Sequence, residues 1–197
     1  MALLTKRVVR SDLWVDGVFE ERPSREPDIE VVKFAIRGAA QAAHQALSSA
    51  HVYHISAAKD ELPREWFASA ELLSFCPNLL CVSAGGAGYD TVDVAACTAA
   101  GVAVVNQSGG NAVSVAEHTL GLMLGVSRRM LEGDRRMRRE VGYPREDVMG
   151  HELAGKTVGL VGIGNIGSRV AALARAFGMQ VVAVDPLLTP AEIERRG

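Results

Sequence analysis

The 197-residue chain is 48% hydrophobic and 22% charged, and its formal net charge is −2 at pH 7, which is an ordinary composition for a globular protein. This balance gives no global attraction to nucleic acid or to an anionic membrane, and no apolar run approaches the ~20 residues of a membrane span. Three cysteines without zinc-site spacing favour a reduced, cytoplasmic protein with no structural metal; they are Cys76, Cys81 and Cys97.

From residue 29 onward, apolar β-branched runs alternate with alanine- or leucine-rich segments. The predicted strands are 29–35, 51–56, 79–84 and 102–106. The predicted helices between them are 37–50, 62–75 and 91–100. This alternation predicts an α/β fold, in which crossover helices connect parallel strands. The first thirty residues show no clear pattern, and 22–28 is a polar loop punctuated by proline.

A long helix is predicted to follow, from about residue 115 to residue 140. Ser114 and Glu117 have the spacing of a capping box at its start. Its buried stripe is predicted to contain Ala116, Leu120, Met123, Leu124, Ser127 and Leu131. The arginines of its second half, at 128, 129, 135, 136, 138 and 139, favour a solvated or subunit-contacting face. A nucleic-acid patch is the minor alternative, because no aromatic residues interleave with them.

A second strand-helix-strand unit covers 156–164, 165–177 and 179–186. We place the boundary between two domains near residue 107, which gives a substrate-binding domain at 1–106. The second domain, at 107–197, then contains the long helix and the start of a cofactor domain.

A G-x-G-x-x-G motif lies between the strand and the helix of this second unit. Gly162 allows the tight turn, and Gly164 leaves room for a pyrophosphate to approach the backbone. Gly167 lets helix and strand pack closely. The amides near Asn165 and Ile166 then point at the phosphates, with the positive end of the helix behind them.

Asp185 ends the strand that follows this motif. Its carboxylate can accept hydrogen bonds from both hydroxyls of an adenine ribose, and its charge would repel a 2′-phosphate. We therefore expect the cofactor to be NAD rather than NADP. The alternative is a glycine-rich turn that binds no ligand.

Three stretches, 84–106, 109–130 and 149–186, together resemble the D-isomer-specific 2-hydroxyacid dehydrogenases, and the third is most similar to the phosphoglycerate dehydrogenase branch. The resemblance extends over residues 50–197. It implies a doubly wound, flavodoxin-like substrate domain followed by the first half of a Rossmann NAD-binding domain. It also implies hydride transfer between NAD(H) and C2 of a small 2-hydroxy or 2-keto acid, and a homodimer formed through helix 115–140.

The resemblance also assigns substrate contacts. The backbone amides of Ala87 and Gly88 would bind the substrate carboxylate, as small residues leave amides open to an anion; a plain turn is the alternative. Asn111 would lie near the substrate, or would only start a helix. The chain departs from the branch at Ile55, where an arginine before Ser56 is usual. The missing cation weakens phosphoglycerate as the substrate.

The family's catalytic arginine, acid and histidine belong to the second half of the cofactor domain, so we expect no catalytic residue within this chain. His118 is interpreted as a structural histidine. Thr189 and Glu192 predict a capping box for a helix that has little length before Gly197, which suggests the N-terminal part of a longer enzyme. The alternatives are a non-enzymatic NAD(H)-sensing or scaffold protein, resembling the C-terminal-binding corepressors, and a degenerate gene product that folds poorly.

Overall fold

The structure, a computed structural model, describes residues 5–197. The chain divides into two compact units between Gly110 and Asn111. The assignment of residues 1–106 to substrate and 107–197 to cofactor stays a prediction.

The first unit is a five-stranded parallel sheet in the order β2-β1-β3-β4-β5. Its strands are β1 (Lys6–Ser11), β2 (Ile29–Phe34), β3 (Val52–Ser56), β4 (Cys81–Gly85) and β5 (Ala103–Val105). Its helices are α1 (Gly17–Ser24), α2 (Ala40–Ser48), α3 (Ala70–Ser74) and α4 (Val94–Ala99). This strand order is that of flavodoxin-like folds, so the predicted α/β class is confirmed.

Two elements within the first thirty residues were not predicted: helix α1, which includes residues 22–24 of the predicted loop, and strand β1. Strand β1 is the one that belongs to the sheet. It lies inside the sheet, between β2 and β3. Charged residues interrupt the apolar pattern that would predict this strand. Arg7 forms an ion pair with Glu30 on β2 at 2.7 Å, and Arg10 is buried. Arg10 donates from Nη1 to the carbonyl oxygens of Ser11 and Leu13, at 2.8 and 2.9 Å. These local bonds are what allow a cation inside a sheet.

The predicted helix 62–75 is two shorter pieces, a 3-10 turn at Arg64–Trp66 and α3. Between them Ala68 is extended, because it pairs with the segment before α4. Its N–H donates to the carbonyl of Thr91 at 2.9 Å, and its own carbonyl accepts from Asp93 at 3.0 Å. This pairing buries Ala68 and interrupts the helix.

The second unit contains a single βαβ motif preceded by helices. Its helices are α5 (Ala112–Ser127), α6 (Met130–Met137), α7 (Gly167–Ala176) and α8 (Pro190–Arg195), with a 3-10 turn at Arg145–Val148. Its parallel strands are β6 (Thr157–Val161) and β7 (Gln180–Val184). Helix α7 buries Val170, Ala171 and Ala174. The outer sides of both strands are exposed and apolar at Val161, Val182 and Val184.

The predicted helix 115–140 is wrong in two respects. It begins earlier, at Ala112, because this alanine is buried in one row with Ala116 and Leu120. The predicted Ser114 capping box is therefore inside the helix. The helix also ends at Ser127, followed by Arg129 in the left-handed region at φ 51°.

The end of helix α5 is bonded to a residue farther along the chain. His151 donates its N–H to the carbonyl oxygen of Ser127 at 2.7 Å, which satisfies one carbonyl of the last turn. Leu131, which was predicted to be buried, is exposed on α6. Two arginines of this segment pair with acids: Arg138 with Asp134 and Arg136 with Asp147, each at 3.0 Å.

Gly150 is expected to tolerate no side chain at this break. A Cβ there would lie 2.3 Å from the carbonyl oxygen of Ser127 and 2.5 Å from Cα of Arg128. We expect Gly150→Ala to lower the free energy of unfolding by about 1–2 kcal/mol, measured by denaturant unfolding. Gly133→Ala on α6, where a Cβ meets nothing within 4 Å, is the control and should raise stability by roughly 0.5–1 kcal/mol. Equal changes in stability for Gly150→Ala and Gly133→Ala would contradict the close approach of Gly150 to Ser127.

Candidate cofactor and substrate sites

The glycine motif connects β6 directly to α7. Gly162 has φ +91°, a left-handed conformation that favours glycine, and its N–H donates to the carbonyl oxygen of Val184 at 2.7 Å. A Cβ on Gly167 would lie 2.2 Å from the carbonyl oxygen of Gly162. The loop therefore closes on itself, with the first turn of α7 packed against its beginning.

The middle of this loop presents unused donors. Within residues 5–197, no hydrogen bond engages the N–H groups of Gly164, Asn165 or Ile166. A Cβ on Gly164 would meet nothing within 4 Å, and all three residues are exposed. They lie at the N-terminus of α7, where the helix dipole favours an anion. A pyrophosphate fits this set of donors.

Asp185 is held against the same loop. Its Oδ2 accepts from the N–H of Ile163 and its Oδ1 from the N–H of Leu187, both at 3.0 Å. These two backbone bonds lower the pKa of the Asp185 carboxyl, so it is ionised at neutral pH. A carboxylate has about four acceptor positions, so each oxygen can still accept from a ribose hydroxyl. The bond to Ile163, which the sequence did not indicate, couples the acid to the glycine turn.

The predicted carboxylate loop follows β4 in the first unit. Asn106 donates from Nδ2 to the carbonyl oxygen of Ala87, and Gln107 donates its N–H to that of Gly86, both at 2.8 Å. Both bonds use carbonyl oxygens of the loop and none of its N–H groups. The N–H groups of Ala87 and Gly88 bond to no residue of the described chain, so they are open to an anion.

Two further predicted positions lie in the second unit. Asn111 is the N-cap residue of α5 and makes no side-chain capping bond. His118 is exposed on the same helix. Their roles toward a substrate or in the structure stay predictions.

Sequence reasoning missed a cavity in the first unit. Its volume is about 300 Å³, and it lies at the carboxyl ends of β1 and β3. Arg10 and His54, both buried, contribute to its wall together with Ser56. Ile55 points away from it into the core. The signal in the sequence is weak: His54 lies in an otherwise mostly apolar strand, whereas Arg10 is one of several polar residues of β1.

Comparison with known proteins connects the second unit with one family. Residues 120–197 match the family described as D-isomer specific 2-hydroxyacid dehydrogenase, NAD binding domain. D-3-phosphoglycerate dehydrogenase of Mycobacterium leprae is 46% identical over 128 residues, which are 65% of this chain and 24% of that protein. The chain thus matches about a quarter of the length of this curated relative.

Solved structures extend the similarity to both units. A protein from Thermus thermophilus matches with a TM-score of 0.76 and 27% identity, over 93% of this chain and 57% of that one. NAD-dependent formate dehydrogenase from Staphylococcus aureus, solved with NAD, matches with a TM-score of 0.74 and 27% identity, over 92% and 56%. The resemblance inferred from the three sequence stretches is confirmed. Within residues 5–197, the helices are too short or too polar to span a lipid bilayer.

Proposed function

We propose, on the premise that this chain is related to the D-isomer-specific 2-hydroxyacid dehydrogenases, that the whole protein is an NAD-dependent oxidoreductase. It transfers a hydride between NAD(H) and C2 of a small 2-hydroxy or 2-keto acid. The observation that carries this proposal is the glycine loop, whose open amides at Gly164, Asn165 and Ile166 lie beside an ionised Asp185.

The chain's own residues have the following proposed roles. The amides of the glycine loop bind the pyrophosphate, and Asp185 accepts from the hydroxyls of the adenine ribose. The amides of Ala87 and Gly88 bind the carboxylate of the acid, and Asn111 lies near the substrate. NAD supplies the hydride acceptor. We assign the proton transfer to no residue of this chain.

The test is an assay of the complete protein with NADH and a panel of 2-keto acids. Oxidation of NADH that depends on one of these acids is the expected result. Binding of NADH without oxidation by any acid would overturn the dehydrogenase proposal and favour NAD(H) sensing. Absence of NADH binding would overturn the cofactor site itself.

We propose that the protein is a homodimer in the cytoplasm. The free thiols of the chain support a reducing compartment. Exposed apolar side chains on α5 and α6 support a self-contact: Leu122 is 55% and Val126 77% exposed, and Met130 and Leu131 continue the surface.

The dimer is tested by sedimentation of the complete protein. We expect Val126→Glu to weaken self-association at least about tenfold, because it places a charge in an apolar interface. Leu187→Glu is the matched control, since Leu187 is 89% exposed and lies outside α5 and α6. A dimer unaffected by Val126→Glu would exclude this surface.

A further inference from the structure

The cavity of the first unit lies where the sheet reverses its order. Strand β1 continues to β2 on one side, while β3 begins the run to β5 on the other. In open α/β sheets, ligands bind outside the carboxyl ends of the strands at such a switch point. The cavity's volume of about 300 Å³ is at the small end of the range for ligand sites (~300–1,000 Å³).

The one buried cation of this cavity, among the residues described, is already paired with an acid. Arg10 is 3% exposed and forms an ion pair through Nη2 with Glu20, which also pairs with Lys33 at 3.3 Å. Its Nη1 donates to two backbone carbonyls. Its Nε is buried and has no partner within the described chain. The guanidinium of Arg10 is therefore already engaged by an acid and by two carbonyls.

The remaining charged groups of the wall are acids. Glu61 accepts from the hydroxyl of Ser56 at 2.7 Å, and Asp16 accepts from the N–H of Val18 at 2.9 Å. Neither forms an ion pair within residues 5–197. A second anion in this cavity would therefore meet like charges, which are costly at close range.

The neutral polar groups of the wall fit hydroxyls. His54 is stacked on Phe19 with ring centroids 4.1 Å apart, and its Nδ1 is 3.3 Å from Oγ of Ser83. Burial, with a further contribution from Arg10, lowers the pKa of His54, so the ring is neutral at pH 7. Its Nε2 has no partner in the described chain, and a Cβ on Gly85 would approach that nitrogen to 3.2 Å.

We propose that this cavity binds the uncharged, hydroxylated side chain of a small 2-hydroxy acid and excludes a phosphorylated side chain. This assignment rests on the proposed function, because it concerns the side chain of the same substrate. His54, Ser56 and Gln107 supply neutral hydrogen bonds, and Trp14 is one of the apolar residues of the wall. Glu61 and Asp16 supply the repulsion. Size does not decide between the two kinds of side chain, because the cavity has room for both.

The test compares D-glycerate with 3-phospho-D-glycerate, which share a carboxylate and a 2-hydroxyl and differ in the phosphate. Trp14 is 85% exposed at the cavity and Trp66 is 2% exposed, and these are the two tryptophans of the chain. The difference in fluorescence between the native chain and Trp14→Phe therefore reports on the cavity. We expect D-glycerate to bind at least about tenfold more tightly at matched ionic strength.

Glu61→Gln should reduce that ratio chiefly by raising the affinity for the phosphorylated acid, because glutamine keeps an acceptor for the Ser56 hydroxyl and removes the charge. Asp60→Asn, an exposed neighbour outside the cavity, is the control and should leave the ratio as it was. Equal or tighter binding of the phosphorylated acid, no response of Trp14 to D-glycerate, or equal effects of the two variants would each overturn the proposal. NADH binding, measured separately on the same chain, tests the proposed function independently.

Discussion

Gly167→Ala is expected to lower the free energy of unfolding of the second unit by about 2–3 kcal/mol and to abolish measurable NAD binding. The added Cβ would lie 2.2 Å from the carbonyl oxygen of Gly162. That oxygen belongs to a residue at φ +91° whose N–H is bonded to Val184, so the turn cannot shift without breaking the link to β7. Relief of the overlap must therefore come from moving α7 off the sheet.

Alanine substitutions at two other glycines show whether the loss of stability is specific to Gly167. Gly159→Ala on β6 places a Cβ 4.0 Å from Val182, so it should not lower stability and should leave NAD binding unchanged. Gly164→Ala meets nothing within 4 Å, so it should preserve stability but weaken NAD binding, since its methyl group occupies the approach of the pyrophosphate. Thermal unfolding and NADH fluorescence titration measure the two properties. A Gly167→Ala chain as stable as Gly159→Ala would contradict the packing argument.

The geometry of the glycine loop was predictable because each of its features is local in sequence. The glycine spacing, the strand before it and the acid after the next strand all follow from one βαβ unit. The capping box of α8 is equally local, and Glu192 accepts from both the N–H and the hydroxyl of Thr189, at 2.8 and 2.7 Å. By contrast, the bond between Asp185 and the N–H of Ile163 joins residues that are adjacent only after β6 and β7 pair.

The features that escaped prediction depend on contacts of the folded chain that no strand or helix periodicity contains. Strand β1 contains an arginine that only the ion pair with Glu20 and two local carbonyls make tolerable inside a sheet. The cavity beside it needs the strand order, which places the ends of β1 and β3 together. The end of α5 depends on Gly150 and His151, more than twenty residues farther along the chain. The hydrophobic periodicity of residues 112–137 therefore cannot indicate where α5 ends.

A substitution at Asp185 is expected to change the preference for NAD over NADP. We expect Asp185→Asn to lower the affinity for NAD by about 10- to 100-fold, since hydrogen bonds to a charged acceptor contribute about 1.5–3 kcal/mol. The affinity for NADP should fall less, or rise, because the same change removes the charge that repels the 2′-phosphate. The expected signature is therefore an increase in the ratio of NADP to NAD affinity.

That ratio distinguishes recognition of the ribose from support of the loop. Asn keeps one acceptor oxygen, so the variant loses either the Ile163 or the Leu187 bond of the native carboxylate. If Asp185 only supported the glycine turn, both cofactors would be weakened by the same factor and the ratio would stay constant. Glu194→Gln, an exposed acid of α8 in the same unit, controls for the change in net charge and should alter neither affinity. An unchanged ratio would therefore assign Asp185 to the loop, and NAD would have to be selected over NADP by other residues.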